Sequence, residues 1–191
     1  MMPIQIFIDW YSQELKQTNA RIPSACCLST IGVDNYPNAR FVSLKEIVDD
    51  KFIITGPLTS RKGLEILQSN KVALTFWWTS TERQVRIQGE ATQISDQQAD
   101  KYFSERSVDS QIVSLVSEQG KAIDNLDNLN EKYLKAEISF GNKAITRPDN
   151  WGGYSIKPVR IELMEFKSNR FHDRKLYELV DGKWIMKQLQ P

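Results

Sequence analysis

Apolar and polar residues alternate along most of this chain in short runs, the period of two that is typical of β-strands with one buried face. Segments rich in turn-forming residues separate these runs, as at residues 34–38 and at Asp181-Gly182, and they predict tight antiparallel connections. The pattern therefore predicts seven or eight mostly antiparallel strands. Nine candidate segments supply them, at residues 24–33, 39–48, 52–55, 71–78, 84–94, 154–157, 160–166, 174–180 and 183–189.

A second pattern, with apolar residues three or four positions apart, predicts helices between the groups of strands. The first covers residues 4–18, and a shorter one starts at Thr59 or Ser60 with Leu64 and Leu67 as its apolar face. The other helices are expected at residues 96–106, 109–116 and 125–140. Many short antiparallel strands with intervening helices predict a mainly β (α+β) fold, a closed or nearly closed barrel decorated by helices.

Composition narrows the partners that the protein can bind. Apolar residues make up 40% of the 191 residues and charged ones 26%, as in an ordinary globular protein. A net charge of +1 argues against a general nucleic-acid or membrane-surface binder. No apolar run reaches the ~18 residues of a membrane span, and the start lacks the pattern of a secretory signal. Adjacent Cys26 and Cys27 are expected to be reduced thiols, so we expect a cytoplasmic protein.

The helix that starts near Ser60 has two basic residues, Arg61 and Lys62, in its first turn. Helix N-termini favour negative charge, so these cations would cost some helix stability there. A bound phosphate would reverse that cost, which makes this helix start a candidate anion site. The alternative is that Arg61 and Lys62 are two exposed surface cations.

The segment 169–174 contains the only histidine of the chain, His172. If the segment is extended, Arg170, His172 and Arg174 project on one side, and their mutual repulsion calls for an anionic or electron-rich group opposite. The alternative is a solvated edge strand whose arginines face water. Because one histidine cannot build a histidine-rich site, no metal site is expected.

Two further places hold polar groups that could bind a ligand. Gln84 lies early in a predicted strand, where its amide could hydrogen-bond the edge of a planar heterocycle or simply be solvated. Tyr102 and Arg106 are four residues apart and so share a helical face, and Ser110 follows at the next helix start. These three side chains would suit a second phosphate, and the alternative is an ordinary helix–helix corner.

Six short motifs follow one another along the chain. They are Arg40-Phe41-Val42-Ser43-Leu44-Lys45, Ser60-Arg61-Lys62-Gly63, Glu82-Arg83-Gln84-Val85-Arg86, Tyr102-Phe103-x-x-Arg106-x-x-Asp109-Ser110-Gln111, Trp151-Gly152-Gly153 and Arg170-Phe171-His172-Asp173-Arg174. In this order the sequence resembles the pyridoxamine 5′-phosphate oxidases, flavin-dependent enzymes of the FMN-binding split-barrel fold. The resemblance extends from about residue 20 onward and implies a single split-barrel domain over residues 1–191.

The resemblance implies a set of site residues and a homodimer with FMN in a groove between the subunits. The residues implied to bind FMN are Arg40, Phe41, Val42, Ser43, Lys45, Thr55, Ser60, Arg61, Lys62, Gln84, Gln119 and Arg174. Those implied to bind the substrate are Lys45, Tyr102, Arg106, Ser110, Arg170 and His172. Arg170 and His172 are the implied catalytic residues, covering the pyridine ring on the face away from the flavin.

The implied reaction is the oxidation of pyridoxamine or pyridoxine 5′-phosphate to pyridoxal 5′-phosphate, with O2 reduced to H2O2. One alternative is a sister flavin oxidase of the phenazine-pathway type, acting on another planar substrate. The other is a non-catalytic protein that binds FMN or pyridoxal phosphate.

Several positions depart from the family pattern. Thr55-Gly56-Pro57 stands where the family usually has Tyr-Thr-Asn, Lys167 replaces a flavin-contacting tryptophan, and Gly120 replaces a common serine. We also expect a shortened 166–170 loop and no N-terminal extension over the substrate. These departures affect the expected substrate more than the expected cofactor.

Overall fold

The computed structural model describes residues 2–141 and 143–191. Five helices and eight strands occur in these two stretches. The helices are α1 (Pro3–Gln17), α2 (Arg61–Gln68), α3 (Asp96–Ser104), α4 (Val108–Val116) and α5 (Leu126–Phe140). The strands are β1 (Ala25–Ile31), β2 (Pro37–Val48), β3 (Lys51–Pro57), β4 (Lys71–Trp78), β5 (Arg83–Gln93), β6 (Trp151–Glu165), β7 (Asp173–Val180) and β8 (Lys183–Leu189).

The strands form one antiparallel sheet in the order β3-β2-β1-β4-β5-β6-β7-β8, and an additional pairing of β3 with β6 closes the first six into a barrel. The predicted fold is therefore confirmed. The 15-residue β6 makes the closure possible, because its first part pairs with β3 and its last part with β7.

The prediction of two separate strands, 154–157 and 160–166, was wrong, because β6 is continuous through Pro158. A proline lacks the N–H that a ladder needs, so it favours a strand end. Here the register of β5 against β6 shifts between Gln88 and Gly89, and Gly89 lies opposite Pro158. The irregularity absorbs the proline without ending the strand.

Helix α1 packs against the main hydrophobic core of the barrel through Phe7, which is fully buried. The Phe7 ring makes edge contacts with Phe52 at 5.0 Å and with Phe76 at 4.9 Å between centroids. Tyr11, one turn later, stacks on Trp78. These contacts confirm an amphipathic helix whose buried face includes Ile4 and Phe7. Ile8 and Leu15, also expected on the apolar face, are exposed.

A smaller hydrophobic cluster lies under α3, where Tyr102 and Phe103 pack with Ile53 and Trp151. Arg147 holds the preceding loop against this helix. Its guanidinium donates to Asp96 at 2.9 Å, to Asp100 at 2.5 Å and to the Trp151 carbonyl at 2.7 Å. The loop before β6 is thereby attached to α3, and Trp151 is fixed beneath it.

The segment 169–174 is not a strand over its whole length, so the prediction that Arg170, His172 and Arg174 share one strand face was wrong. Residues 168–169 form a turn, and β7 begins only at Asp173. Arg170 has φ of 67°, a left-handed conformation that breaks the alternation of an extended chain.

Within the described residues, no helix is both long and apolar enough to cross a membrane.

Candidate functional site

A cleft of about 770 Å³ lies where β2, β3, the start of α2 and the end of α4 meet. The predicted cofactor residues in its lining are Arg40, Phe41, Val42, Ser43, Thr55, Ser60, Arg61, Lys62 and Gln119. Arg106, predicted for the substrate, also lines it. The other predicted residues, Lys45, Gln84, Tyr102, Ser110, Arg170, His172 and Arg174, are not part of this lining in the single chain.

The face that α2 buries differs from the predicted one. Leu64 and Leu67, the expected apolar face, are exposed, Leu67 to 85%, while Lys62, Glu65 and Ile66 are buried. Helix α2 is therefore oriented by polar contacts as well as apolar ones, and it turns a cation and a carboxylate inward.

Glu65 is the centre of a buried polar network that sequence analysis missed. Its side chain is fully buried and accepts hydrogen bonds from Thr30, Asn38, Arg40 and Arg61, at distances of 2.6–2.8 Å. Burial alone would raise the pKa of Glu65, but these hydrogen bonds together lower that pKa to about 2. The spacing of Arg61 and Glu65, four residues apart on one helix, was the available signal.

Lys62 is a buried cation, 9% exposed, that faces the cleft. Its Nζ donates to Ser60 Oγ at 3.0 Å and to Gln119 Oε1 at 2.6 Å. Within the described residues it forms no ion pair, in contrast to Arg40 and Arg61, whose charges Glu65 offsets. Burial, and then repulsion by Arg40, lowers the pKa of Lys62 to about 8.

Two features beside Lys62 suit an anion: the absence of a side chain at Gly56 and the uncapped first turn of α2. A Cβ at Gly56 would lie 3.2 Å from Lys62 Nζ, so a larger residue there would displace the ammonium group. Ser60 is the N-cap of α2, but its Oγ donates to the Pro57 carbonyl at 2.7 Å, and no side-chain cap is found for this helix within the described chain. The first-turn N–H groups and Lys62 therefore present positive potential at the same place.

Arg106 lies at the far side of the cleft, between α3 and α4. Its guanidinium donates to Ser114 Oγ at 2.5 Å and lies 5.1 Å from the centroid of the Trp151 ring. Burial lowers the pKa of Arg106. Ser110 is one helical turn from Ser114, and its hydroxyl accepts from Ser107 at 2.8 Å.

Lys45 and Tyr102 lie together beside this corner, with Lys45 Nζ 5.5 Å from the centroid of the Tyr102 ring. Each is engaged by a carboxylate. Lys45 pairs with Glu105 at 2.7 Å, and the Tyr102 hydroxyl donates to Glu46. Burial and that hydrogen bond raise the pKa of Tyr102.

The remaining predicted residues form a second set: Gln84 on β5, Arg174 on β7, and Arg170 and His172 in the loop before β7. Gln84, Met164 and Arg174 are cross-strand neighbours in one row, and Arg174 donates to Glu162 at 2.8 Å. His172 lies against the Phe166 ring, and its Nδ1 accepts from the Lys167 N–H at 3.1 Å. Arg170 is exposed. The candidate residues therefore lie in three places: in the cleft, at the corner beside it that holds Lys45, Tyr102 and Ser110, and in this second set outside it.

Comparison with known proteins gives matches over most of the chain. Residues 13–136 match the family model described as pyridoxamine 5′-phosphate oxidase, and residues 151–191 match the pyridoxine 5′-phosphate oxidase C-terminal dimerisation region. Two relatives named pyridoxine/pyridoxamine 5′-phosphate oxidase, from Bacteroides thetaiotaomicron and Acaryochloris marina, are each 37% identical over 99% of this chain. The matches cover 89% and 86% of those proteins.

Solved structures show the same architecture. PhzG from Burkholderia lata 383, in complex with tetrahydrophenazine-1-carboxylic acid, matches with a TM-score of 0.93 and 28% identity, covering 99% of this chain and 92% of that one. A pyridoxamine 5′-phosphate oxidase-related, FMN-binding protein from Nostoc punctiforme matches with a TM-score of 0.82 and 16% identity, covering 100% and 98%. At that identity the second match concerns the fold alone.

Proposed function

This chain belongs to the pyridoxamine 5′-phosphate oxidase family, and from that membership we propose that it is an FMN-dependent oxidase. Its substrates would be pyridoxamine and pyridoxine 5′-phosphate, oxidised to pyridoxal 5′-phosphate with O2 reduced to H2O2. The observation that supports this most directly is Lys62, a buried cation facing the cleft beside Arg40 with only neutral hydrogen-bond acceptors. Such a charge is costly unless an anion lies against it.

The residues present fit the phosphate of FMN. Lys62, Arg40 and the uncapped first turn of α2 would hold it, while Ser60 and Gln119 keep the ammonium group of Lys62 directed at the cleft. Glu65 fixes Arg40 and Arg61 without pairing with Lys62. When bound, FMN supplies the redox chemistry between the substrate and O2.

The second set of residues would complete the site from the other subunit of a homodimer. Phe41 and Thr75 both lie opposite Cys27, and Trp77 is two residues beyond Thr75, so Phe41 and Trp77 share one face of the sheet. They are 80% and 58% exposed, a large apolar area for a single chain to leave uncovered. We expect this face and the dimerisation region to form the contact, bringing Gln84 and Arg174 of one protomer to the cleft of its partner.

Within that second set, Arg170 and His172 are proposed to cover the substrate ring. His172 Nδ1 accepts a hydrogen bond from the Lys167 N–H, which leaves Nε2 as the ring nitrogen that can donate. The Phe166 ring, 4.9 Å away between centroids, fixes the plane of the imidazole. This arrangement suits an orienting group that holds the ring in place for the reaction.

The purified protein tests the proposal directly. We expect FMN to be retained, with absorbance near ~450 nm, and peroxide to be released with pyridoxine or pyridoxamine 5′-phosphate but much more slowly with unphosphorylated pyridoxine. Bound FMN without peroxide from any of these compounds would contradict an oxidase and favour a non-catalytic FMN-binding protein.

A sister oxidase of the phenazine-pathway type is the second candidate function, and the match to PhzG at 28% identity is the observation that favours it. Thr55, Gly56 and Lys167 are the positions where the expected flavin surroundings differ from the family pattern. Peroxide release with a reduced phenazine carboxylic acid, and none with phosphorylated pyridines, would support this function in place of the first.

Arg170→Ala and His172→Ala are each expected to lower turnover at least tenfold while FMN stays bound, since both groups orient the substrate. The measurement is peroxide release together with flavin content after gel filtration. Lys135→Ala, which removes an exposed cation from α5, is the control and should leave both unchanged. Loss of flavin from both variants would count against the substrate role.

A further inference from the structure

Two carboxylates already contact Lys45 and Tyr102, side chains that the proposed function assigns to binding the substrate phosphate. Glu105, the C-cap residue of α3, pairs with Lys45 at 2.7 Å, and Glu46 accepts the only proton that the Tyr102 hydroxyl can donate. Arg106, the next residue along from Glu105, instead faces the cleft and donates to the neutral Ser114 hydroxyl. Lys45 must therefore give up an ion pair to bind an anion, whereas Arg106 need give up only a hydrogen bond to a neutral hydroxyl.

A β-bulge places both Lys45 and Glu46 at this corner. The register of β2 against β3 passes from the pair Leu44–Ile54 to the pair Glu46–Ile53, so two residues of β2 oppose one step of β3. Ile53 packs with Tyr102 in the smaller hydrophobic cluster, whereas Leu44 and Ile54 belong to the main core. The bulge thus brings Glu46 to the side of the sheet where Tyr102 lies.

We propose that Glu46 and Glu105 are specificity-determining residues that compete with the substrate phosphate for Tyr102 and Lys45. This inference rests on the proposed function and deepens it. A phosphorylated ligand must displace both carboxylates or bind beside them, so its phosphate adds less affinity than the cationic side chains alone would supply. The two glutamates therefore reduce the preference for phosphorylated over unphosphorylated pyridines.

The exposure of the Lys45–Glu105 ion pair sets the expected size of the change in phosphate preference. The side chains of Lys45 and Glu105 are 31% and 42% exposed, and ion pairs in such positions contribute little because solvent screens them. Removing the charge of Glu105 should accordingly raise the phosphate preference about fivefold at low ionic strength. The hydrogen bond from Lys45 lowers the pKa of Glu105, so this competing charge is present throughout the neutral pH range.

The test uses the flavin-loaded protein and two ligands that lack an oxidisable group, deoxypyridoxine and its 5′-phosphate. The ratio of their dissociation constants is measured by equilibrium dialysis for the wild type, Glu105→Gln, Glu46→Gln and the double variant. Glutamine keeps a carbonyl that can accept from Tyr102 or Lys45 but removes the negative charge. Glu131→Gln, which removes a charge from an exposed pair on α5, is the matched control.

We expect the ratio to rise about fivefold in Glu105→Gln and further in the double variant, with a smaller rise at high salt and none in Glu131→Gln. An unchanged ratio, or an equal change in the affinities of both ligands, would overturn the inference while leaving the proposed function in place. A wild-type protein that retains no FMN and binds neither ligand would overturn both.

Discussion

Replacing Lys62 by methionine is expected to raise the dissociation constant of FMN about 30- to 100-fold. Lys62 is the buried cation of the cleft, and a charged hydrogen bond from such a group to a phosphate is worth about 2–3 kcal/mol. Methionine retains the volume of the side chain and removes the charge. The measurement is a titration of the FMN-free protein with FMN, followed by the quenching of flavin fluorescence.

The same variant is expected to leave the FMN-free protein at least as stable as the wild type. Burial lowers the pKa of Lys62 from 10.5 to about 8. Because the charged form of Lys62 predominates at neutral pH, burying it reduces the free energy of unfolding, and methionine removes this unfavourable contribution. Lys132→Met on α5, at an exposed position, is the control for FMN affinity. Equal FMN affinity in Lys62→Met and wild type would show that the cleft binds no phosphate through this residue.

The second large effect is expected from Glu65→Ala, which should lower the free energy of unfolding at pH 7 by about 3 kcal/mol. The substitution leaves Arg40, Arg61, Thr30 and Asn38 without their shared acceptor, and removing one partner of a buried ionic network costs about 3–5 kcal/mol. The lower end applies because Arg61 is 57% exposed and water partly replaces the lost contact. Urea unfolding measures the difference, and Glu131→Ala on α5 should change it by less than about 0.5 kcal/mol.

The stabilisation by Glu65 also depends on pH in a defined direction. Its pKa is lowered from 4.5 to about 2 on folding, so the unfolded chain binds more protons in that interval. The contribution is complete above about pH 4.5 and is lost as the pH falls toward 2. Glu65→Ala should therefore show a smaller loss of stability than the wild type between pH 5 and 3, and parallel losses would contradict this account.

Local pattern was sufficient for most of the secondary structure and for part of the cleft. The predicted strands pair as an antiparallel barrel, and the helix start with Ser60 and Lys62 lines the cleft as the helix pattern indicated. Arg40 on β2 also lines it, but only the family resemblance had implied that residue. It was insufficient for α2, where Leu64 and Leu67 are exposed and Glu65 is buried. Hydrophobicity alone assigns leucine to the core, whereas here four hydrogen-bond donors make the buried carboxylate stable.

The loop from Phe166 to His172 shows a second limit of the pattern. Alternation of Arg170, His172 and Arg174 predicted one strand face, but Arg170 adopts a left-handed conformation and β7 starts at Asp173. A period of two describes any polar loop with alternate charges as well as it describes a strand. Only the pairing partners of each residue distinguish the two, and those partners are distant in sequence.

The amino-acid sequence by itself determined most of the strands and helices, because periodicity and turn residues act over a few neighbouring positions. It also determined which residue types were available for binding phosphate. The tertiary structure alone decided how their charges are distributed: Glu65 offsets Arg40 and Arg61, Glu46 and Glu105 engage Tyr102 and Lys45, and Lys62 faces the cleft without an ion pair in the described chain. Electrostatic interactions depend on distances between side chains that only folding brings together, and no local pattern contains those distances.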